Sequence, residues 1–144
     1  MTRGPATRGP ASLEVLDAQE ARFAAAFEAG DISLAGTLYA PDLVYVSPTT
    51  RLFGWPARIV GVEQALEFVQ LTITGLSDIE YAVEERALIA DDAGAYVKVR
   101  FDFGMRGVRL RSNYVVVYRY RDTLIAQQEL YYDPSAELER VPSV

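Results

Sequence analysis

The sequence predicts an α+β fold in which a cone-shaped, curved antiparallel sheet wraps around three N-terminal helices. Two observations carry this expectation. Apolar residues recur at helical spacing through three segments of the first half, interrupted by one short strand. The second half runs as four long alternating segments separated by tight turns, the pattern of consecutive antiparallel strands. A curved sheet whose open end is closed by helices leaves a conical cavity, a common place for an apolar ligand.

Residues 2–11 repeat Thr-Arg-Gly-Pro-Ala twice. That density of proline and glycine cannot bury a core face, so residues 1–12 are expected to be a disordered tail. Ser12 is placed to cap a first helix that ends before Gly30, with Glu14 and Asp17 near its positive end. Leu16, Phe23 and Phe27 form its apolar stripe, edged by Leu13 and Ala24. Glu20 falls in the middle of that stripe. A carboxylate there lies either near a solvent-open end or inside a cavity, and the fraying of first helical turns makes solvent the expected surroundings. Asp31 caps a second, short helix that stops before Pro41.

Asp42 to Pro48 reads as a short strand with Leu43, Tyr45 and Ser47 on one face. The segment TTRLFGWPARIVG then reads as a long loop, whose Phe53 and Trp55 suit a binding role. Gly61 leads into a third helix, Val62 to about Thr74, that buries Val62, Ala65, Leu66, Val69 and Ile73. Four strands follow, from Asp78 to Ile89, Ala95 to Phe103, Val108 to Tyr120 and Leu124 to Asp133. In the second of them Val97, Val99, Phe101 and Phe103 oppose Lys98, Arg100 and Asp102. In the third, Leu110, Ser112, Tyr114, Val116 and Tyr118 oppose Arg109, Arg111, Asn113 and Arg119. The apolar set should line a core or pocket, and the charged set should face out. One domain over residues 13–133 accounts for all of this, with 134–144 a C-terminal tail.

Composition narrows the chemistry. Cysteine and histidine are both absent, which removes thiolate catalysis, disulfides and the commonest metal ligands. Acid–base work must fall to carboxylates, tyrosines, lysine or water. No metal and no cofactor are expected, and Asp91-Asp92 reads as an acidic hairpin turn. A net charge of −6 argues against nucleic-acid partners. Half of the 14 basic residues nevertheless lie between Lys98 and Arg121, as a solvated sheet face balanced by Glu80 and Glu84. No apolar run has the length of a membrane span, and no apolar leader opens the chain, so a cytoplasmic protein without membrane partners is expected.

Three stretches carry a resemblance over about residues 13–133: EAGDISLAGTLYAPDLVYVSP, the glycine-led GVEQALEFV, and RYRDTLIAQQELYYDP. They resemble the nuclear transport factor 2-like superfamily, of cystatin-like fold, in its SnoaL-like and ketosteroid-isomerase-like branch. Matched residue by residue, the isomerase tyrosine falls on Phe23, its aspartate base on Ser47 and its protonated aspartate on Tyr114. The acid–base aspartate of SnoaL-type cyclases falls on Leu130, after Gln128 and Glu129. Scytalone-type dehydratases use pocket histidines, which this chain lacks. Arg100 and Asp102 resemble the Arg-x-Asp pair of limonene epoxide hydrolases, and Tyr45-Val46-Ser47 their water holder. Strand parity, however, turns Arg100 and Asp102 outward.

Parity and resemblance together imply a pocket faced by Phe23, Phe27, Tyr45, Ser47, Val97, Val99, Phe101, Tyr114, Val116, Gln128, Leu130 and Tyr132. Trp55, with Arg51 or Arg58, would cover it from the loop. The expected function is binding of a small apolar, ring-containing molecule. The alternatives are a cofactor-independent isomerase, cyclase or lyase, and a hydrolase of the limonene-epoxide type. Under a catalytic reading, Tyr114 donates to an oxyanion, Tyr45 with Ser47 holds substrate or water, and Glu20 is the acid–base group. On the outer face Val115 and Val117 make YVVVY apolar on both sides, which implies a covering partner and hence a homodimer.

Overall fold

The computed structural model describes residues 9–10, 12–89, 93–132 and 139–140. Helix α1 spans Leu13–Glu28, and the Ser12 side chain accepts the Val15 N–H at its start. A 3-10 helix over Ile32–Leu38 replaces the second helix, with Asp31 capping it through the Ser33 N–H. Strand β1 is Tyr39–Val46, β2 is Arg58–Val60, and helix α2 between them and the long strands is Val62–Ile73. The long strands are β3 (Ser77–Ile89), β4 (Gly94–Met105), β5 (Val108–Arg121) and β6 (Leu124–Tyr132), and β7 is Glu139–Arg140.

The architecture is α+β, but the expected antiparallel cone is not what forms. The sheet is open and mixed, in the order β2-β1-β6-β5-β4-β3, with β7 beside β5. Strands β2 and β3 are its two edges and do not pair with each other, so nothing closes it. Strand β1 runs parallel to β6, its neighbour in space, although the whole of α2 and β3 to β5 separates them in sequence. Alternation along a strand reports which residues share a face. It carries no information on which strand lies alongside, and that is where the expectation failed.

Two smaller differences have local causes. Strand β1 begins at Tyr39 and so contains Pro41. Its pairing with β6 is irregular between Tyr39 and Val44, where a residue without an N–H interrupts no ladder bond. The segment expected as one long loop folds into a 3-10 helix at Thr50–Phe53 and the three-residue edge strand β2. Of the two expected tails, residues 1–8, 11, 133–138 and 141–144 lie outside the described residues, while Gly9 and Pro10 are buried.

The core fills the space between the helices and one face of the sheet. Val97, Val99, Phe101, Phe103, Tyr114, Val116, Tyr118 and Tyr120 are all buried from β4 and β5. The helices meet through Gln70 of α2, whose Oε1 accepts the Ile32 N–H while its Nε2 donates to Gly30 O, both at 3.0 Å. One side chain thereby satisfies two backbone groups at the junction between α1 and the 3-10 helix. Gln70→Leu leaves both without that partner and is expected to cost about 1–3 kcal/mol. Urea denaturation of the two proteins checks this, and an unchanged midpoint would show that the junction does not depend on Gln70.

Candidate functional site

A cavity of ≈ 860 Å³ opens between the sheet and the helices. Its inner wall is the alternation of the long strands. Phe101 and Phe103 come from β4, Ser112 and Tyr114 from β5, and Leu130 and Tyr132 from β6. Tyr45 of β1 and Phe27 at the end of α1 extend that wall. Across the space stands α2, with Phe68, Val69, Thr72 and Ile73, and Leu52, Phe53 and Met105 reach the rim. Leu52, at 80% exposed, is the most open of these.

The lining is an aromatic sequence in contact. Phe27 meets the edge of Phe101 at 5.3 Å, Phe101 lies 6.1 Å from Tyr114, and Tyr114 lies 5.3 Å from Tyr132. Phe68 gathers Tyr45, Phe53 and Trp55 around it, at 5.9, 5.8 and 5.4 Å. Burial pushes the Tyr114 and Tyr45 hydroxyls well above the usual tyrosine value, and the mutual proximity of Tyr114, Tyr45 and Tyr132 adds to the shift. Tyr132 is raised as well, with the nearby Ser47 and Thr49 hydroxyls opposing. All three are therefore neutral donors at ordinary pH. Among the described residues the Tyr114 hydroxyl has no hydrogen-bond partner.

Six of the residues expected at the site border this cavity: Phe27, Tyr45, Phe101, Tyr114, Leu130 and Tyr132. Ser47 borders a second, shallower cleft of ≈ 550 Å³ that shares Leu130 and Tyr132 with it, and its hydroxyl lies 2.9 Å from that of Thr49. Phe23, Val97, Val99 and Val116 pack in the core instead, because the sheet's inner face is longer than the cavity. Gln128 accepts the Tyr39 hydroxyl at 2.8 Å, and Trp55 stands behind Phe68. Phe68 and Thr72 went unrecognised from sequence, whereas Phe53 lies where the binding loop was expected. The first two share one helical face with Ala65, Val69 and Ile73, a spacing that could have found them.

Glu20 corrects an expectation. It is buried, not at a solvent-open end. Its Oε1 accepts the Tyr81 hydroxyl at 2.5 Å, and its Oε2 accepts the Tyr118 hydroxyl at 2.8 Å and Gln19 Nε2 at 2.9 Å. Gln19 Oε1 in turn accepts the Tyr120 hydroxyl at 2.7 Å. This polar group lies apart from the cavity, which Glu20 does not border. Desolvation raises the Glu20 carboxyl above its usual value, against the three hydrogen bonds that lower it.

Arg100 and Asp102 lie on the opposite face of the sheet, as parity requires. Asp102 is nevertheless buried, at 4% exposed, because Arg111 covers it with two hydrogen bonds of 2.8 and 3.1 Å. The arginine that holds Asp102 is thus its cross-strand neighbour on β5 and not Arg100, whose Nε is 3.8 Å away. Leu130 brings no acid to the cavity.

A family model for the SnoaL-like domain matches residues 21–128. The chain belongs to the SnoaL-like family. Its fold is that of the nuclear transport factor 2-like superfamily, which includes ketosteroid-isomerase-like relatives. Among curated proteins none matches. A nuclear transport factor 2-like protein from Anabaena variabilis superposes with a TM-score of 0.74 at 15% identity, covering 94% of this chain and 96% of that one. An epoxide hydrolase of the limonene type from M. tuberculosis gives 0.61 at 18%, covering 81% and 80%. TerC, co-crystallised with polyporic acid, gives 0.66 at 21%, covering 81% and 90%. At these identities the likeness is one of fold. Among the described residues no helix is long and apolar enough to cross a membrane.

In the SnoaL-like chain Glu20 is a pH-dependent element with a defined sign. Because Glu20 is raised in the folded state, its contribution to stability is fully present below its unfolded value near 4.5 and is lost as pH rises through the folded value. Glu20→Gln should therefore gain stability relative to wild type as pH rises from about 4 to about 8. Chemical denaturation across that range measures the difference, and a gap that is constant with pH would refute the assignment.

Proposed function

We propose that this SnoaL-like protein binds a small, apolar, ring-containing molecule in the ≈ 860 Å³ cavity. The observation that carries the reading is the Tyr114 hydroxyl, a neutral donor among aromatic rings with no protein acceptor among the described residues. A ligand carbonyl or ether oxygen satisfies it, and Tyr45 and Tyr132 stand beside it for a second oxygen. The volume falls in the range of about 300–1,000 Å³ typical of small-molecule sites. That TerC, of the same fold, was crystallised with polyporic acid supports a ligand of this kind.

Thermal-shift and fluorescence titrations with neutral polycyclic ketones and quinones test it. The single tryptophan, Trp55, packs on the cavity residue Phe68 and reports occupancy. Binding is expected to stabilise the protein, by about 2.7 kcal/mol at a hundredfold excess over Kd. Tyr114→Phe should weaken binding about fivefold, the worth of one hydrogen bond. A broad panel that leaves both melting temperature and Trp55 emission unchanged would sink the proposal.

A second reading, a cofactor-independent isomerase, cyclase or lyase, is supported by the same hydroxyl. A donor aimed at a ligand oxygen in a dry cavity also stabilises an oxyanion. Among the described residues it has no carboxylate at the cavity, since Glu20 lies apart from it and Asp102 is engaged by Arg111. Binding is therefore the reading favoured here.

We also propose a homodimer through the sheet face opposite the helices. Val115 and Val117 are half-buried there, beside Tyr131 at 55% exposed. The Val115→Lys, Val117→Lys double variant should sediment as a monomer. A variant still dimeric would rule this interface out.

A further inference from the structure

A single side chain lies between the aromatic wall of the cavity and the buried carboxylate. Tyr81 of β3 is held by α1 at both ends. Its backbone N–H donates to Glu28 Oε2 at 3.1 Å, and its hydroxyl donates to Glu20 Oε1 at 2.5 Å. Between these anchors its ring stacks on Phe27, with centroids 5.3 Å apart and planes 9° apart. It also meets the edge of Phe101 at 6.5 Å. Phe27 and Phe101 border the cavity; Tyr81 and Glu20 stand behind them. A change at the Tyr81 hydroxyl thus reaches the cavity through two rings already in contact with it.

We propose that Tyr81 is a positioning residue for the cavity, and that Glu20, by accepting from its hydroxyl or donating to it, couples ligand occupancy to the protonation of this carboxyl group. The inference rests on the ligand-binding reading above. Ionised, the carboxylate accepts from Tyr81, Tyr118 and Gln19 together. Protonated, it must also donate, and a tyrosine hydroxyl can accept that proton only by turning its own O–H away from the carboxyl group. Oε2 serves two of those donors and Oε1 serves Tyr81 alone. A proton on Oε1 therefore disturbs one hydrogen bond, whereas a proton on Oε2 disturbs two. The proton belongs on Oε1, and Tyr81 is the side chain whose hydroxyl must turn from donor to acceptor and find another acceptor for its own proton.

Few other groups face Glu20. On α1, Asp17 opposes its ionisation and is itself paired with Arg86 of β3 at 2.8 Å. From the strands come the hydroxyls of Tyr39, Tyr81, Tyr118 and Tyr120, with Tyr114 beyond the wall, and burial keeps all of them neutral. Glu20 is thus the one group in this cluster that changes charge between weakly acidic and neutral pH. Desolvation moves that change above the usual carboxylate range. By linkage, a ligand that needs the wall in place binds the ionised form better and lowers the carboxyl's proton affinity in return.

The test uses Nile red, a neutral ring compound with a carbonyl oxygen, titrated by fluorescence from about pH 8 to about pH 4. Wild-type affinity should fall at least about fivefold on acidification. Tyr81→Phe and Glu20→Gln should bind with no such fall. Tyr118→Phe removes the other tyrosine hydroxyl from Glu20, but that ring stacks on Phe23, 6.0 Å away, instead of on the cavity wall. It should keep the fall, with its midpoint displaced upward, which a merely structural role for the network would not produce. A flat wild-type profile, or a Tyr81→Phe profile that falls like wild type, overturns the coupling and leaves ligand binding standing. Absence of saturable binding, or binding indifferent to the cavity-filling Ser112→Trp, overturns both.

Discussion

The register between β4 and β5 is the constraint on which the rest of the molecule depends. It runs without a shift from Gly94 opposite Arg119 to Met105 opposite Val108. Because side chains alternate strictly along a strand, this one pairing assigns every residue of both strands to a face at once. Phe101 and Tyr114 are thereby turned to the cavity, while the Asp102 and Arg111 side chains pair with each other, Arg111 also bordering the cavity. A slip of one residue would bring Arg100 and Asp102 inward and carry Val97, Val99 and Phe101 out to water. Burying that apolar surface outweighs what the Asp102–Arg111 pair contributes, so the slipped register cannot compete.

Much of this was legible in the sequence, because period two and period 3.6 survive in the order of residues. The buried faces of β4 and β5, the apolar stripe of α1 and the cap at Ser12 all follow from local patterns. What could not be read depends on partners distant in sequence. Nothing local to β1 says that it lies parallel to β6, and nothing in the four long strands says that their sheet stays open at β2 and β3. The three residues of β2 are too few for a periodic signal, and their pairing with β1 is what makes them a strand. The same limit applied to the site. Parity named residues that face inward, of which only some reach the cavity, because the core and the cavity share one sheet face.

Glu20 was the residue that broke its own pattern, an acid in the middle of an apolar stripe. Such breaks are usually taken as exposure, since burying an unpaired carboxylate is prohibitive. The structure resolves the conflict differently. Two tyrosines from strands far away in sequence and a glutamine from the same helix supply the partners, so the group is buried and satisfied. The tyrosines were visible in the sequence as members of apolar strand faces, where a hydroxyl reads as incidental to the ring. Only the approach of α1 to β3 and β5 gives those hydroxyls a destination.

The interior is consequently divided into two chemical compartments by a wall of rings. On one side a carboxylate is held by hydroxyl and amide donors; on the other, the neutral Tyr114 hydroxyl faces an apolar space. A carboxylate inside the cavity would repel an electron-rich ligand oxygen and would itself need desolvating for every ligand that entered. Glu20 lies instead behind Tyr81, Phe27 and Phe101, outside the cavity. Relatives of this fold differ in chemistry because a few inward positions decide what the cavity holds. In this chain the inward positions at the cavity carry Tyr45, Tyr114, Leu130 and Tyr132, and among the described residues no carboxylate lines it.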